Sequence, residues 1–169
     1  SYPICSWKKR MSEYLDALEK EMDFTTEIYR DKKLDTIYIG GGTPTTLEAE
    51  ELDRLLTRGK SRIDFTYVKE FTVEAGRADS ITREKLEVLY KHGVTRISVN
   101  PQTMSNETLK LIGRQHTVEQ AIEAFHLARE IGFDNINMDI ILGLPGETEE
   151  DVAHTINEIV KLKPDSLTV

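Results

Sequence analysis

The fold is decided by residues 36–45, which read Thr36-Ile37-Tyr38-Ile39-Gly40-Gly41-Gly42-Thr43-Pro44-Thr45. Residues that favour extended backbone are followed by three glycines, and a helical pattern begins near Thr46. Such an order is typical of a β-strand that enters a glycine loop and then a helix. The stretch therefore predicts one strand-loop-helix unit.

The same alternation extends outward in both directions. Further strands are predicted at residues 71–73, 96–99, 136–142 and 166–169. Helices are predicted from about Thr82, at 106–112, and after the capping boxes Thr117-x-x-Gln120 and Thr148-x-x-Asp151. The last helix is expected to bury Val152, Ile156, Ile159 and Val160. Upstream of the first strand, Met11, Leu15, Leu18 and Met22 recur at helical spacing and predict one long amphipathic helix over the first thirty residues.

Strands separated by helices indicate right-handed crossovers and a parallel sheet with helices outside it. The alternation by itself fits both an open doubly wound sheet and part of a (β/α) barrel. The sequence begins on a predicted helix and ends inside a predicted strand. We therefore expect an α/β fold that is a partial (β/α) TIM-like barrel, with about five parallel strands in sequential order.

Composition restricts the function classes. The 169 residues are 38% hydrophobic, which fits one globular domain, and the net charge of -8 argues against a nucleic-acid-binding surface. No run reaches the ~18 apolar residues of a membrane span and no signal segment is present, so a cytoplasmic location without a membrane partner is expected. Cys5 is the single cysteine, and the four histidines lack metal-ligand spacing. A small-molecule ligand is the favoured partner.

Unusual residues follow the predicted strands, where ligands bind in parallel α/β folds. Gly41 and Gly42 let backbone approach a ligand, or else allow close packing of strand and helix. Glu74 is a carboxylate suited to ribose hydroxyls or a cation, or else a salt-bridge partner of Arg77.

Three more polar residues follow the later strands. Gln102 and Arg114 offer donors for an anionic or zwitterionic ligand, or else are surface or capping residues. Asp139 stands in an otherwise apolar strand, where a carboxylate is costly to bury unless it is paired or functional.

Taken together, these segments resemble a known family. They are Gly-Gly-Gly-Thr-Pro-Thr at 40–45, the Val73-Glu74 strand end, residues 96–102, Gly113-Arg114 and residues 137–146. In order and spacing they resemble the radical S-adenosylmethionine (SAM) core of the oxygen-independent coproporphyrinogen III oxidases and dehydrogenases. The resemblance covers nearly the whole chain and implies a TIM-like radical SAM barrel.

The resemblance also implies roles for individual residues. Gly41, Gly42 and Thr43 would contact the amino group and methionyl part of SAM, and Glu74 would hold its ribose hydroxyls. Gln102, Arg114 and Asp139 match family positions that line the sites of SAM and a second ligand, with Arg114 pairing with a carboxylate.

One family motif is missing from the sequence. The Cys-x3-Cys-x2-Cys motif, which holds a [4Fe–4S] cluster, has no counterpart, and Cys5 lacks partners at either spacing. We expect residues 1–169 to be part of a radical SAM barrel domain whose first strand and cluster loop lie upstream and whose remainder lies downstream. Without the cluster, the chain alone is expected to bind neither cofactor, to be inactive, and to associate with itself through exposed sheet edges.

For the intact protein, the resemblance implies a radical SAM oxidoreductase. Reductive cleavage of SAM would give a radical that takes hydrogen from propionate side chains, and loss of CO2 would convert coproporphyrinogen III to protoporphyrinogen IX in haem synthesis, with an electron donor protein as partner. A haem-binding or haem-transfer protein of the same family, without decarboxylase activity, is the alternative. A tRNA-modifying enzyme fits the net charge poorly.

Overall fold

The structure is a computed structural model that describes the backbone of residues 4–169 and the side chains of residues 10–169. The side chain of Cys5 lies outside the described residues, so its expected role as an isolated thiol is not addressed. In the part that the structure describes, no helix is long and apolar enough to cross a membrane.

A single parallel sheet organises the chain, with its strands in the order β1-β2-β3-β4-β5. The strands are β1 (Thr36–Ile39), β2 (Glu70–Gly76), β3 (Arg96–Gln102), β4 (Ile136–Ile140) and β5 (Ser166–Thr168). Each strand pairs with the next along the chain, whereas a doubly wound sheet reverses its strand order at a switch point. The predicted partial barrel of five sequential parallel strands is therefore confirmed.

Six helices accompany the strands in the described residues. They are α1 (Ile4–Tyr29), α2 (Ala49–Lys60), α3 (Arg83–Lys91), α4 (Asn106–Leu111), α5 (Val118–Ile131) and α6 (Glu149–Leu162). Short 3₁₀ turns occupy Pro44–Thr46, Phe65–Tyr67 and Ala78–Ser80. Both predicted capping boxes form, since Thr117 and Thr148 each accept from the amide three residues on. These caps fix where α5 and α6 begin.

The two faces of the sheet differ in chemistry, because successive strand residues point to opposite sides. One face packs against the helices and is apolar, with Phe71, Val73, Ala75, Ile97, Val99, Ile136, Met138 and Ile140 all buried. The other face is polar and carries Tyr38, Thr72, Glu74, Arg96, Ser98, Asn137, Asp139, Ser166 and Thr168. The core thus lies between sheet and helices, and the opposite face presents hydrogen-bonding groups.

Some boundaries and buried positions differ from the sequence-based predictions. The helix expected near Thr46 begins at Ala49, because the 3₁₀ turn at Pro44–Thr46 comes first. In α6, Ile159 is buried, but Ile156 and Val160 are 39% and 63% exposed, so the prediction that both are buried is wrong. Helix α6 precedes the edge strand β5, and among the described residues no further strand-helix unit follows to cover its outer flank.

Candidate functional site

The residues singled out by sequence gather at one end of the sheet. Gly41 follows β1, Glu74 lies near the end of β2, Gln102 ends β3, and Asp139 is the penultimate residue of β4. All four strands are parallel and adjacent, so their carboxyl ends share one edge. Arg114 lies in the loop between α4 and α5. Gly41 and Glu74 are in direct contact, whereas no hydrogen bond joins Gln102, Arg114 and Asp139 to one another.

The carboxylate of Glu74 is held by two donors. Its Oε2 accepts from the backbone amide of Gly41 at 3.2 Å and from the hydroxyl of Tyr38 at 3.2 Å. Arg77, the partner considered from sequence, pairs instead with Asp79 at 3.2 Å. With both bonds on Oε2, the orientation of the carboxylate is fixed and Oε1 remains able to accept from a ligand hydroxyl.

Tyr38 is a site residue that sequence reasoning missed. It pairs in register with Thr72 and lies on the polar face, from which it reaches Glu74. Partial desolvation of the hydroxyl, although the residue is 63% exposed, and the nearby charge of Glu74 both raise the pKa of Tyr38 above its ordinary value of 10.0. The hydroxyl therefore stays protonated and donates to Glu74 at neutral pH. The alternation of strand residues could have predicted this role, since it places positions 38, 72 and 74 on one face.

The glycine loop between β1 and α2 needs glycine for its backbone conformation. Gly41 and Gly42 have φ of 77° and 54°, in the left-handed region that other residues rarely adopt. A Cβ built on either would meet nothing within 4 Å, so close packing of strand and helix is not the reason for these glycines. Thr43 follows, and its carbonyl accepts from the amide of Thr46 at 2.9 Å. The open space around the loop leaves its backbone accessible to a ligand.

Gln102 combines burial with an unusual backbone conformation. It is 8% exposed and has φ of 69°, and left-handed backbone at a residue other than glycine costs about 1–3 kcal/mol. The pairing of β3 with β4 shifts register between Val99 and Gln102, directly before this residue. The carbonyl of Gln102 accepts from the amide of Ile141 at 2.9 Å. Strained residues of this kind are concentrated at functional sites.

Arg114 is half-buried, and its backbone and side chain have separate uses. Its amide donates to the carbonyl of Leu109 at 2.9 Å and so closes the end of α4. Its guanidinium makes no ion pair among the described residues and is available for an anionic group. The loop itself is tied to β3 by His116, which is buried and whose Nε2 donates to the carbonyl of Pro101 at 3.2 Å.

Asp139 belongs to the polar face, so the description of β4 as otherwise apolar is wrong. Its Oδ1 accepts from the amide of Asn137, which also bonds Thr168 at 3.1 Å and accepts from Ser166 at 2.6 Å. These bonds keep one carboxylate oxygen of Asp139 in a fixed position and explain how the half-buried acid is tolerated.

The chemistry of the strand ends suits a polar ligand rather than a metal ion. Among the described residues, no group of three or more His, Cys, Asp or Glu side chains is placed to hold a metal ion. The strand ends do provide accessible backbone, two carboxylates and a carboxamide, and the loop after α4 carries a guanidinium. Such a set suits a ligand that carries hydroxyls, an amine and a carboxylate.

Comparison with known proteins identifies the family of the chain. The radical SAM superfamily model matches residues 5–159. The oxygen-independent coproporphyrinogen-III oxidase-like protein HemZ of Bacillus subtilis is 50% identical over all of this chain and 34% of its own length. The heme chaperone HemW of the same organism is 40% identical over 94% of this chain and 42% of its own length.

A solved structure shows the same fold. Coproporphyrinogen III oxidase (HemN) from Escherichia coli, a radical SAM enzyme, superposes with a TM-score of 0.85 at 30% identity, covering 94% of this chain and 37% of that protein. The chain thus spans between a third and a half of the length of these relatives. The chain therefore belongs to the radical SAM superfamily, and its similar proteins within that superfamily include both coproporphyrinogen III oxidases and heme chaperones.

Proposed function

We propose that this chain forms the SAM-binding part of a barrel in a longer radical SAM oxidoreductase, which converts coproporphyrinogen III to protoporphyrinogen IX. The observation that carries the proposal is Glu74, held by Gly41 and Tyr38 at the sheet edge where parallel α/β folds bind ligands. Similarity to HemZ and HemN supports the choice of substrate. The chain covers 34% of HemZ and 37% of HemN, which supports the proposal that it is part of a longer protein.

Each site residue has a proposed task toward SAM. The backbone of Gly41 and Gly42, together with Thr43, binds the amino group and methionyl part, and Oε1 of Glu74 accepts from the ribose hydroxyls. Gln102 and Asp139 line the same edge, and the guanidinium of Arg114 pairs with a carboxylate of SAM or of the porphyrinogen. If bound here, SAM would supply the hydrogen-abstracting radical of the family once it receives one electron from a reductant outside these residues.

The residues of this chain do not fit the family's [4Fe–4S] cluster. A cluster of this kind takes several cysteine thiolates, and the chain contains only Cys5. We therefore derive no step through the cluster from these residues. After anaerobic treatment with iron and sulfide, the 169-residue chain should retain no stoichiometric iron, and stoichiometric iron would show that other residues replace the thiolates.

A haem-binding protein without decarboxylase activity is the second candidate. The observation that favours it is the 40% identity to the heme chaperone HemW over 94% of the chain. The polar sheet face and the free guanidinium of Arg114 would suit propionate groups of haem as well as those of a porphyrinogen.

The two candidates are separated by one experiment on the full-length protein. Under anaerobic conditions with SAM and a reductant, the protein is supplied with coproporphyrinogen III, and the products are quantified beside a haem titration followed by absorbance. Decarboxylated product that disappears in Glu74→Gln supports the oxidase. Haem binding without product supports the second candidate, and absence of both contradicts both.

A further inference from the structure

Lys85 is a buried cation on α3, outside the set of residues that face the candidate site. Its side chain is 10% exposed. Its Nζ donates to the carbonyl oxygen of Thr45 at 2.8 Å and to that of Ser80 at 3.4 Å, and it lies 3.8 Å from a carboxylate oxygen of Glu48. An ammonium group has three donors, so each can be directed to one of these acceptors. A buried lysine satisfied in this way holds defined backbone atoms together.

The two carbonyls belong to the segments that directly follow the first two strand ends. Thr45 lies in the 3₁₀ turn Pro44–Thr46, after the glycine loop, and Ser80 lies in the turn Ala78–Ser80, after Glu74 and the end of β2. Lys85 therefore bridges the continuation of β1 to the continuation of β2.

Thr45 forms a second bridge at the same place. It is fully buried, and its hydroxyl contacts the carbonyl of Ala75 and, at 2.7 Å, the hydroxyl of Ser80. Gly76, at the end of β2, has a backbone φ in the left-handed region. A Cβ at this position would lie only 3.2 Å from the side chain of Thr43. The two strand ends are thus joined by the hydrogen bonds of Thr45 and Lys85 and by the close approach of Thr43 to Gly76.

We propose that Lys85 is a positioning residue for the SAM site: it sets the spacing between the glycine loop after β1 and the carboxylate of Glu74 on β2. The bond from the Gly41 amide to Glu74, at 3.2 Å, depends on that spacing. The inference rests on the proposed function, because SAM is the ligand that spans the two strand ends. Loss of the Lys85 donors frees two buried carbonyls and lets the two segments move apart.

The test uses the full-length protein with its cluster reconstituted. In Lys85→Met the apolar stem is kept and the donors are removed, and Thr45→Val removes the second bridge at nearly constant volume. Leu89→Ala is the matched control, because Leu89 is fully buried on the same helix but belongs to the apolar core. Two quantities are measured: SAM affinity, and hydrogen exchange of residues 40–46 and 74–80 in protein without SAM.

We expect Lys85→Met and Thr45→Val to weaken SAM binding by about tenfold, equivalent to about 1.4 kcal/mol, and to speed exchange in both segments. Leu89→Ala should lower the melting temperature at least as much, yet leave SAM affinity within about twofold of wild type. The inference is overturned if the Lys85 and Thr45 variants lose stability but bind SAM like wild type. If wild type binds no SAM, the proposed function fails. Independently of SAM, unchanged hydrogen exchange of both segments in Lys85→Met would show that Lys85 does not couple them.

Discussion

At the scale of single residues, the site is built around the orientation of Glu74. The Tyr38 hydroxyl and the Gly41 amide both donate to the same carboxylate oxygen. A carboxylate held in this way presents its other oxygen at a fixed angle, which favours recognition of adjacent ribose hydroxyls. If Glu74 binds SAM as proposed, Tyr38 would act on SAM through Glu74.

Replacing Tyr38 by phenylalanine tests this role. We expect Tyr38→Phe in the full-length protein to weaken SAM binding about fivefold, because the hydrogen bond from the Tyr38 hydroxyl to the carboxylate is lost while the ring remains. SAM affinity is measured by equilibrium binding, with Tyr67→Phe as control, since Tyr67 lies on the surface under Lys33 and away from the site. Equal affinity in both variants would mean that Tyr38 does not orient Glu74.

At the scale of elements, charged pairs join α1 to α2 and to the turn that directly follows α2. Arg54 bonds Glu19 at 2.8 Å and also contacts Asp16, and Arg62 contacts Asp23. The hydrogen bond from Arg62 holds the pKa of Asp23 below its ordinary value of 3.8. A carboxyl with a lowered pKa in the folded state contributes stability above its unfolded pKa, and this contribution is lost as pH falls through the folded value.

The consequence is a specific acid sensitivity. The melting temperature should fall below about pH 4, and Asp23→Asn should reduce the difference between pH 6 and pH 3 relative to wild type. The matched control is Asp31→Asn, because Asp31 is exposed and lies outside these pairs. The melting temperatures of wild type and of the two variants are measured by circular dichroism at each pH. Identical pH profiles in wild type and Asp23→Asn would exclude a contribution from the pair with Arg62.

At the scale of the whole molecule, β1 and β5 are the edges of the described sheet. Beside β1 lies a cavity of about 880 Å³, between α1 and the β1–α2 unit, with an apolar lining that includes Leu18, Met22, Ile37 and Ile39. Unpaired strand edges beside apolar surface favour pairing with other chains. We therefore expect the 169-residue chain to self-associate at high concentration.

A lysine on the edge should oppose this association. Thr36 is exposed on β1, and Thr36→Lys places a charge on the unpaired edge, whereas Thr66→Lys adds the same charge at an exposed position outside the sheet. Sedimentation velocity over a concentration series should show more monomer for Thr36→Lys than for Thr66→Lys. The same mass distribution in both variants would show that the β1 edge is not the contact.

Much of the fold follows from local sequence, and the rest depends on contacts between distant segments. The strands, the capping boxes at Thr117 and Thr148, and the gathering of Gly41 and Glu74 at one edge were predictable from strand-helix alternation. The bridge from Lys85 to Thr45 was not, because it joins residues forty positions apart across two turns. The exposure of Val160 was also missed, because helical spacing does not show how much of a helix its neighbours cover.

The central claim is that this edge of the sheet binds SAM through Glu74. Its most direct test is SAM affinity of the full-length, cluster-reconstituted protein, in wild type and in Glu74→Gln, with the melting temperature of each. We predict that Glu74→Gln weakens SAM binding by about tenfold or more, since one ribose acceptor becomes a donor, while the melting temperature changes by less than about 2 °C. Equal SAM affinity in the two proteins, or a loss of stability as severe as the loss of binding, would contradict the account.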